Sequence, residues 1–504
     1  MATSKGTDWT RRRFLREGAR SGTALALYTA GCRSSGVDEA QTGVWVNDVH
    51  SGLNLTWVSE VMRPASLEQL QSSVRLGRAS GRPICLAAGR HAMGGQQFAL
   101  GATLLDLDAI SGLDSQRGII EVGAGVHWPR LVESLLETQA GASEPWGIRQ
   151  KQTGADELSL GGALAANAHG RGLRFAPMVG DVESFELIDA EGELRTCSRD
   201  ENPELFRLAI GGYGLFGIVA RVRLRLARRQ LLERVVELTD TESLVARVEE
   251  RIAEGFTYGD FQYATDLRSE DALRKGVLAC YRPVSARAGA DGDPRELSNE
   301  EWRELIRLAH VDRSEAFRRY ADFYLSTSGQ RYWSDTHQLS TYLRDYHAEL
   351  GRSLGRFAKG SEMITEIYVP RDAFATFMEQ ARRDFIEHDV ELIYGTVRFI
   401  EPDEETFLPW ARRRWACVIF NLHTRHDAES LRRTAADFRR LIDRAIEHGG
   451  SYFLTYHRWA EREQVLACHP RFAEFLRRKR VYDPDERFQS EWYRHYRALF
   501  ADTL

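Results

Sequence analysis

Three glycine clusters, two of them carrying a histidine, are the parts of this chain best suited to holding a reactive ligand. The first, Ala87-Ala88-Gly89-Arg90-His91-Ala92-Met93-Gly94-Gly95-Gln96, directly follows a short β-rich run. Glycine lets backbone N–H groups approach a ligand closely and adopt positive φ, so such a loop can form a nest for a diphosphate. The second joins Gly161-Gly162 to Asn167-Ala168-His169-Gly170, and the third runs Gly211-Gly212-Tyr213-Gly214-Leu215-Phe216-Gly217 into Ile218-Val219. His91 and His169 add imidazoles, which act as nucleophiles or bases near neutral pH. A Rossmann site is not indicated: no Gly-x-Gly-x-x-Gly stands between strand and helix with an acidic residue beyond it.

In this order, from about Val58 to Leu226, the clusters resemble the FAD-binding domain of the vanillyl-alcohol oxidase superfamily, which includes cytokinin dehydrogenases, alditol oxidases and aldonolactone oxidases. The first is similar to that family's Gly-x-Gly-His-Ser loop, the second to its Gly-Gly-x-x-x-x-Asn-x-His-Gly run, the third to its Gly-Gly-x-Gly-x-Phe-Gly-Ile turn. The resemblance implies FAD as cofactor, held by Gly89, Arg90, His91, Ala92, Met93, Gly94, Gly95, Gln96, Gly161, Gly162, Asn167, His169, Gly170, Gly212, Gly217, Ile218 and Val219. His91 falls where members with histidyl-linked FAD carry the attachment residue, but Arg90 stands where glycine is usual. Covalent attachment and a non-covalent polar contact therefore both stay open. A second, cysteinyl link is not expected, since Ala155 stands near where that cysteine would be sought.

A flavin performs the hydride chemistry itself, so the protein must supply a substrate position, a proton acceptor and a charge field. Glu366-Ile367-Tyr368-Val369-Pro370-Arg371 resembles a strand of the substrate domain in alditol and aldonolactone oxidases, and Val397-Arg398 resembles the Ile-Arg of their Glu-Ile-Arg strand, with Thr396 in place of the glutamate. Arg398 is the expected electrostatic anchor. His423, in Asn421-Leu422-His423, and His457, in Tyr456-His457-Arg458-Trp459-Ala460, are the expected candidates for the base, with His169 a further catalytic candidate that could equally cap a turn. Alternation along a strand points Asn421 and His423 to one face. Asp156 sits near the aspartate of cytokinin dehydrogenases but two residues out of step, so the role is not carried over. The expected reaction is hydride abstraction from a CH–OH group of a small molecule, with electrons passed to oxygen, a quinone or another acceptor. The alternatives are oxidation of a C–N or C–C bond and an exported flavin-binding protein without turnover.

The elements that position these groups are readable in outline. Pro64–Ala79 and Trp128 to about Gln139 carry helical spacing, Pro83–Ala87, Ile119–Val122 and Val182–Asp189 read as strands, and Asp189-Ala190-Glu191-Gly192 as a hairpin turn. Val222, Leu224 and Leu226 alternate with Arg221, Arg223 and Arg225, the pattern of a half-exposed strand. Beyond about Gln230 glycine thins, and long helical stretches, Asn299–Leu325 and Ala428–His448, alternate with strands. The expected fold is α+β: a two-subdomain PCMH-type FAD-binding domain (37–230), an α+β substrate or cap domain with an antiparallel sheet (231–460), and a C-terminal segment (461–504) packing back on the FAD domain, its Asp483-Pro484 and Phe488 resembling the family's closing motif.

Residues 1–36 read as a signal and tether. Thr10-Arg11-Arg12-Arg13-Phe14-Leu15-Arg16 before the apolar Gly22–Gly31 is a twin-arginine export signature, the address of a periplasmic or cell-envelope protein. Thr29-Ala30-Gly31-Cys32 leaves open a lipidated Cys32 that anchors the protein to a membrane, or ordinary cleavage. A net charge of -5 with interspersed signs gives no case for nucleic acid, and the six scattered cysteines carry no metal-like pairing, so no metal is expected.

Overall fold

The computed structural model describes residues 41–504 except 117, 155, 286–294, 341–342, 344–345 and 356–357. The twin-arginine motif, Cys32 and Ala155 lie outside the described residues.

Local chemistry sets the element ends. The helix Leu67–Ser80 starts where the Ser66 hydroxyl accepts from the Gln69 N–H and stops at Gly81, whose φ of 68° is left-handed. Its buried stripe, Leu70, Val74 and Gly77, faces the strand Ile84–Ala87, and a Cβ on Gly77 would lie 2.8 Å from Ile84 Cδ1. The turn after the strand Val182–Ile188 closes because the Asp189 carboxylate accepts from the N–H groups of Glu191 and Glu193. The long stretch expected over Asn299–Leu325 is instead two helices, Asn299–Val311 and Arg313–Ser326. Asp312 divides them: its backbone leaves the helical region and its carboxylate caps the second helix at Glu315 N–H. Helical periodicity alone could not report that break.

The architecture is α+β. A four-stranded mixed sheet runs in the order Gln41–Val46, Thr56–Met62, Thr103–Asp106, Ile84–Ala87. A five-stranded antiparallel sheet orders Leu113–Gln116, Ile119–Gly123, Ile218–Arg225, Val182–Ile188, Leu194–Ser198. From Leu231 the chain builds an eight-stranded antiparallel sheet: Arg331–Trp333, Leu231–Asp240, Lys275–Val284, Tyr258–Tyr263, Leu392–Ile400, Trp415–Arg425, Gly360–Pro370, Ser451–Tyr452. The C-terminal segment returns to the first sheet, where Ile84 N–H donates to Arg487 C=O and Gln489 N–H to Ile84 C=O.

Alternation decides which side of the large sheet holds what. Met363, Ile367 and Val369, with Val418, Phe420 and Leu422, join one core with Phe377, Phe438 and Leu441 of the helices Phe374–Glu387 and Ala428–Glu447. The intervening residues Glu362, Ile364, Glu366 and Tyr368 take the other face, opposite His423, Asn421, Ile419 and Cys417 of the neighbouring strand. No described helix is long and apolar enough to cross a membrane.

Candidate active site

A cleft lies between the glycine loops and the large sheet. It is walled by Gly89–Met93, Leu158–Gly162 and Tyr213–Gly217, and at one end by Ile364, Phe453 and Tyr456. The walls are thin because side chains are sterically excluded behind them. A Cβ on Gly89 would fall 2.4 Å from the Glu157 carbonyl oxygen, one on Gly161 2.8 Å from Ala124 Cβ, and one on Gly217 2.4 Å from Leu187 Cδ2. Arg90 takes a left-handed φ of 57°, a conformation glycine adopts without strain, and is tied down by donating to Asp106 at 2.9 Å. Gln96 directs its NH2 to the carbonyls of Leu454 and Thr455, leaving its buried Oε1 without a partner in the cleft wall.

Of the residues expected around the cofactor, Gly89, Arg90, His91, Ala92, Met93, Gln96, Gly161, Gly162, Gly217 and Val219 line the cleft. The others support it from behind. Gly94 N–H donates to Thr455 C=O and Gly95 C=O accepts from Trp492 N–H, fastening the first loop to the C-terminal part of the chain. Asn167 ends the helix Leu160–Ala166 in a left-handed turn, donates to Asp403 and accepts from Val179 N–H. Gly170 and Gly212 are close backbone contacts, with added Cβ atoms 2.7 Å from Lys151 C=O and 2.1 Å from Leu208 C=O, and Ile218 belongs to a hydrophobic core.

At the sheet end of the cleft stands a buried polar cluster. His169 Nε2 lies 2.9 Å from Glu366 Oε2, which also accepts from the Tyr368 hydroxyl at 3.0 Å. Glu366 Oε1 accepts from the Tyr456 hydroxyl at 2.7 Å, and Tyr456 reaches the cleft. Burial opposes ionisation of Glu366, but the charge and hydrogen bond of His169, the Arg398 guanidinium and the Tyr456 hydroxyl outweigh it and hold the carboxyl at about 2. Burial pushes the neighbouring Cys417 thiol well above its ordinary value, so it is no thiolate nucleophile.

The same face of the sheet continues into open space. Gln262 pairs with Thr396, Tyr394 with Asn421, and Asn421 with Ile364, so these side chains share one side. Tyr394, on the same side, keeps 39% of its surface accessible. Arg398 stands on this face, buried, with Nε and Nη1 lacking hydrogen-bond partners, and Asn421 Oδ1 is likewise unpartnered. Thr396, two residues before Arg398, donates to the Phe261 carbonyl. Lys151 and Asp156 form a buried pair at 2.6 Å behind the cleft segment Gln152–Gly154. Burial lowers the Lys151 pKa, and the Asp156 carboxylate works against that.

The two histidines expected to serve as bases are not brought to the cleft. His457 sits on the helix side of the sheet, its Nε2 3.3 Å from Thr365 Oγ1 and its ring 4.6 Å from Phe438 and 5.2 Å from Trp459. Burial holds it at about 3, a neutral core imidazole, because Thr365 and Glu366 alternate to opposite faces. His423 is on the cavity side, as alternation with Asn421 requires, but opposite Glu362 and not Glu366, roughly 13 Å along the strand. There Glu362 Oε1 lies 3.1 Å from His423 Nδ1. Glu366, Tyr456 and Lys151 were missed as site residues, and Asp156 was considered but given no role. A glutamate alternating with Ile364 and Tyr368 in an otherwise apolar strand was the available signal for Glu366.

Residues 58–198 match the FAD binding domain family. That match and the relatives below support the FAD-linked oxidoreductase superfamily. It is similar to cytokinin dehydrogenase 4 of Oryza sativa subsp. japonica, 27% identical over 213 residues, 39% of each chain. Cytokinin dehydrogenase 7 of the same organism is 30% identical over 178 residues, 33% of this chain and 32% of the relative. The mitochondrial L-galactono-1,4-lactone dehydrogenase 1 of the same organism is 30% identical over 195 residues, 37% of this chain and 32% of the relative. The chain thus spans between 32% and 39% of the length of these curated relatives. The cofactor is FAD, and the cleft fits it: a thin slot with glycine walls, apolar lining from Leu158, Leu215 and Phe216, and an unpartnered acceptor on Gln96. His91 lines the slot.

Proposed function

We propose that the protein is an FAD-dependent oxidoreductase that abstracts a hydride from a CH–OH group of a small molecule. The observation that carries this reading is the Arg398 guanidinium, buried with Nε and Nη1 unpartnered, on an open face shared with Asn421 and Tyr394 and next to the flavin cleft. A buried charged donor without a partner is costly, and a substrate oxygen repairs that cost. FAD, when bound, supplies the hydride acceptor. Arg398 then lowers the free energy of negative charge developing on the substrate oxygen as its proton passes to solvent water, and Asn421 Oδ1 accepts from a second hydroxyl. Tyr456 lines the sheet end of the cleft, and Glu366, held ionised, fixes the direction of its hydroxyl. His91 is the group we assign to contact or covalent attachment of the flavin, and the four- and five-stranded sheets are the two lobes of its domain.

Oxidation of a C–N bond is the second reading, favoured by Asp156, a buried carboxylate beside the cleft segment. Lys151 already neutralises that carboxylate at 2.6 Å, which favours the alcohol reading. Anaerobic mixing with a polyol and hydroxy-acid panel against an amine panel separates them. Flavin bleaching by hydroxyl compounds supports the proposal; bleaching by amines alone, or by neither panel with flavin bound, contradicts it. Oxygen, a quinone or another carrier would reoxidise the flavin. We also propose export by the twin-arginine route with Cys32 as a membrane anchor; accumulation of an Arg11→Lys, Arg12→Lys variant in the cytoplasm supports the route, and unchanged export contradicts it.

A further inference from the structure

Away from the flavin cleft, a pocket at the far end of the large sheet is lined by His310, Glu362, Glu391, His423 and Arg425. Three chain segments converge there: the last turn of the helix Asn299–Val311, the start of the strand Gly360–Pro370 and the end of the strand Trp415–Arg425. We propose that His310, Glu362 and His423 bind a divalent transition metal ion, with zinc the best match.

The geometry carries the assignment. His310 Nε2 lies 3.2 Å and His423 Nδ1 3.1 Å from Glu362 Oε1, and the three ligand atoms fall within 4.8 Å of one another. Zinc bonds to imidazole nitrogen and carboxylate oxygen at about 2.0–2.2 Å, so the edges of its tetrahedron are about 3.3 Å. An ion can therefore enter between the three side chains without moving the backbone. The imidazole rings meet edge to face at 86°, their centroids 5.2 Å apart, which leaves both nitrogens free to turn toward a common point.

A hydrogen-bonded cluster explains the same residues less well. The His310 side chain is 1% exposed, and neither of its ring nitrogens makes a hydrogen bond: Nε2 approaches the carboxylate at 3.2 Å but off the N–H direction. An unsatisfied buried imidazole is costly, and a metal bond removes that penalty. The Glu362 carboxylate, 2% exposed, receives the Tyr346 hydroxyl on its other oxygen at 2.8 Å, the outer-shell contact that orients a ligating carboxylate. Two imidazoles and one carboxylate suit zinc, and three protein ligands leave the fourth position facing the pocket. The ligands stand at 310, 362 and 423, so no short-range spacing marks them; the sheet register that sets Glu362 against His423 creates the site. This placement gives His423 a ligand role remote from the flavin, independent of the reaction proposed above.

The test is zinc binding to the full-length flavoprotein, untagged, stripped with chelator and titrated with zinc chloride, with metal content measured on the desalted protein. The expected result is roughly one equivalent per chain and a rise in melting temperature on loading. His310→Ala and His423→Ala each abolish retention of that equivalent, while the flavin absorbance per chain stays at the wild-type level. Glu362→Gln keeps shape and one acceptor oxygen but removes the charge, weakening zinc at least about tenfold; it also serves where an alanine variant loses its flavin through misfolding. No retained zinc in the wild type, or wild-type retention in Glu362→Gln and either histidine variant, overturns the proposal.

Discussion

Glu366→Gln is the most informative single change, because it preserves volume and removes only the charge on which the buried cluster is organised. The carboxylate accepts from His169, Tyr368 and, weakly, the Cys417 thiol on one oxygen and from Tyr456 on the other. The least disruptive amide orientation keeps its oxygen toward His169 and Tyr368 and turns its NH2 to Tyr456, which then has a donor facing a donor until its hydroxyl rotates. The wild-type carboxyl is held at about 2 against an ordinary 4.5, an interval worth about 3 kcal/mol. Because the folded value is the lower one, this stabilisation is complete above pH 4.5 and is lost as the pH falls toward 2. For a chain of this length the unfolding entropy is about 1 kcal/mol per kelvin, so the variant melts about 3 °C lower at pH 7. The assay is thermal unfolding of wild type and variant at matched flavin loading, from pH 7 to pH 3. The difference shrinks below pH 4.5. A difference that stays constant over that range, or one below about 0.5 °C at pH 7, would refute the reasoning that Glu366 is ionised and structurally required.

Three further outcomes follow from the same geometry. His457, held neutral at about 3 by burial, must take up a proton on unfolding below its ordinary 6.5, so its contribution to stability is present above pH 6.5 and lost as the pH falls toward 3. His457→Phe flattens the acid limb of the stability profile in that window, measured by denaturant titration, and leaves turnover with bound flavin near wild type. Arg398→Met keeps the flavin spectrum but lowers kcat/KM by roughly 100–1,000-fold, the loss typical of one preorganised donor, checked by steady-state kinetics on a substrate found in the panel. Gly161→Val places a side chain where even a Cβ would lie 2.8 Å from Ala124 Cβ, and displaces the helix behind the slot. The expected product is a folded protein with less than about a tenth of the wild-type flavin, destabilised by about 1–3 kcal/mol.

How far the sequence led depended on whether a residue's role is set by its own backbone or by distant neighbours. Gly89, Gly161 and Gly217 were legible because the demand they meet, a backbone that tolerates no Cβ, is local and written in residue type. The helix Leu67–Ser80 and the strand Ile218–Arg225 were legible for the same reason, through helical spacing and an alternation. His457 and His423 were not. Whether either reaches the cleft depends on which face of an eight-stranded sheet it takes and which strand residue lies opposite, both fixed by pairings between segments far apart in sequence. His457 went to the helix side and His423 to the far end, while Glu366, read only as part of a strand, became the centre of the cluster. Asp312 was hidden differently: its capping carboxylate lies inside a continuous helical pattern, and only the geometry of the chain reveals the break.

The central claim is that the glycine-walled cleft holds FAD, and it is tested most directly by the visible absorbance of the purified full-length protein, repeated on pellet and supernatant after acid precipitation. The expected result is a flavin band of about one equivalent per chain, in the pellet if His91 carries the covalent link and lost from that pellet in His91→Ala, in the supernatant if the contact is non-covalent. A folded protein with no flavin band in either fraction, even after incubation with FAD, would contradict it.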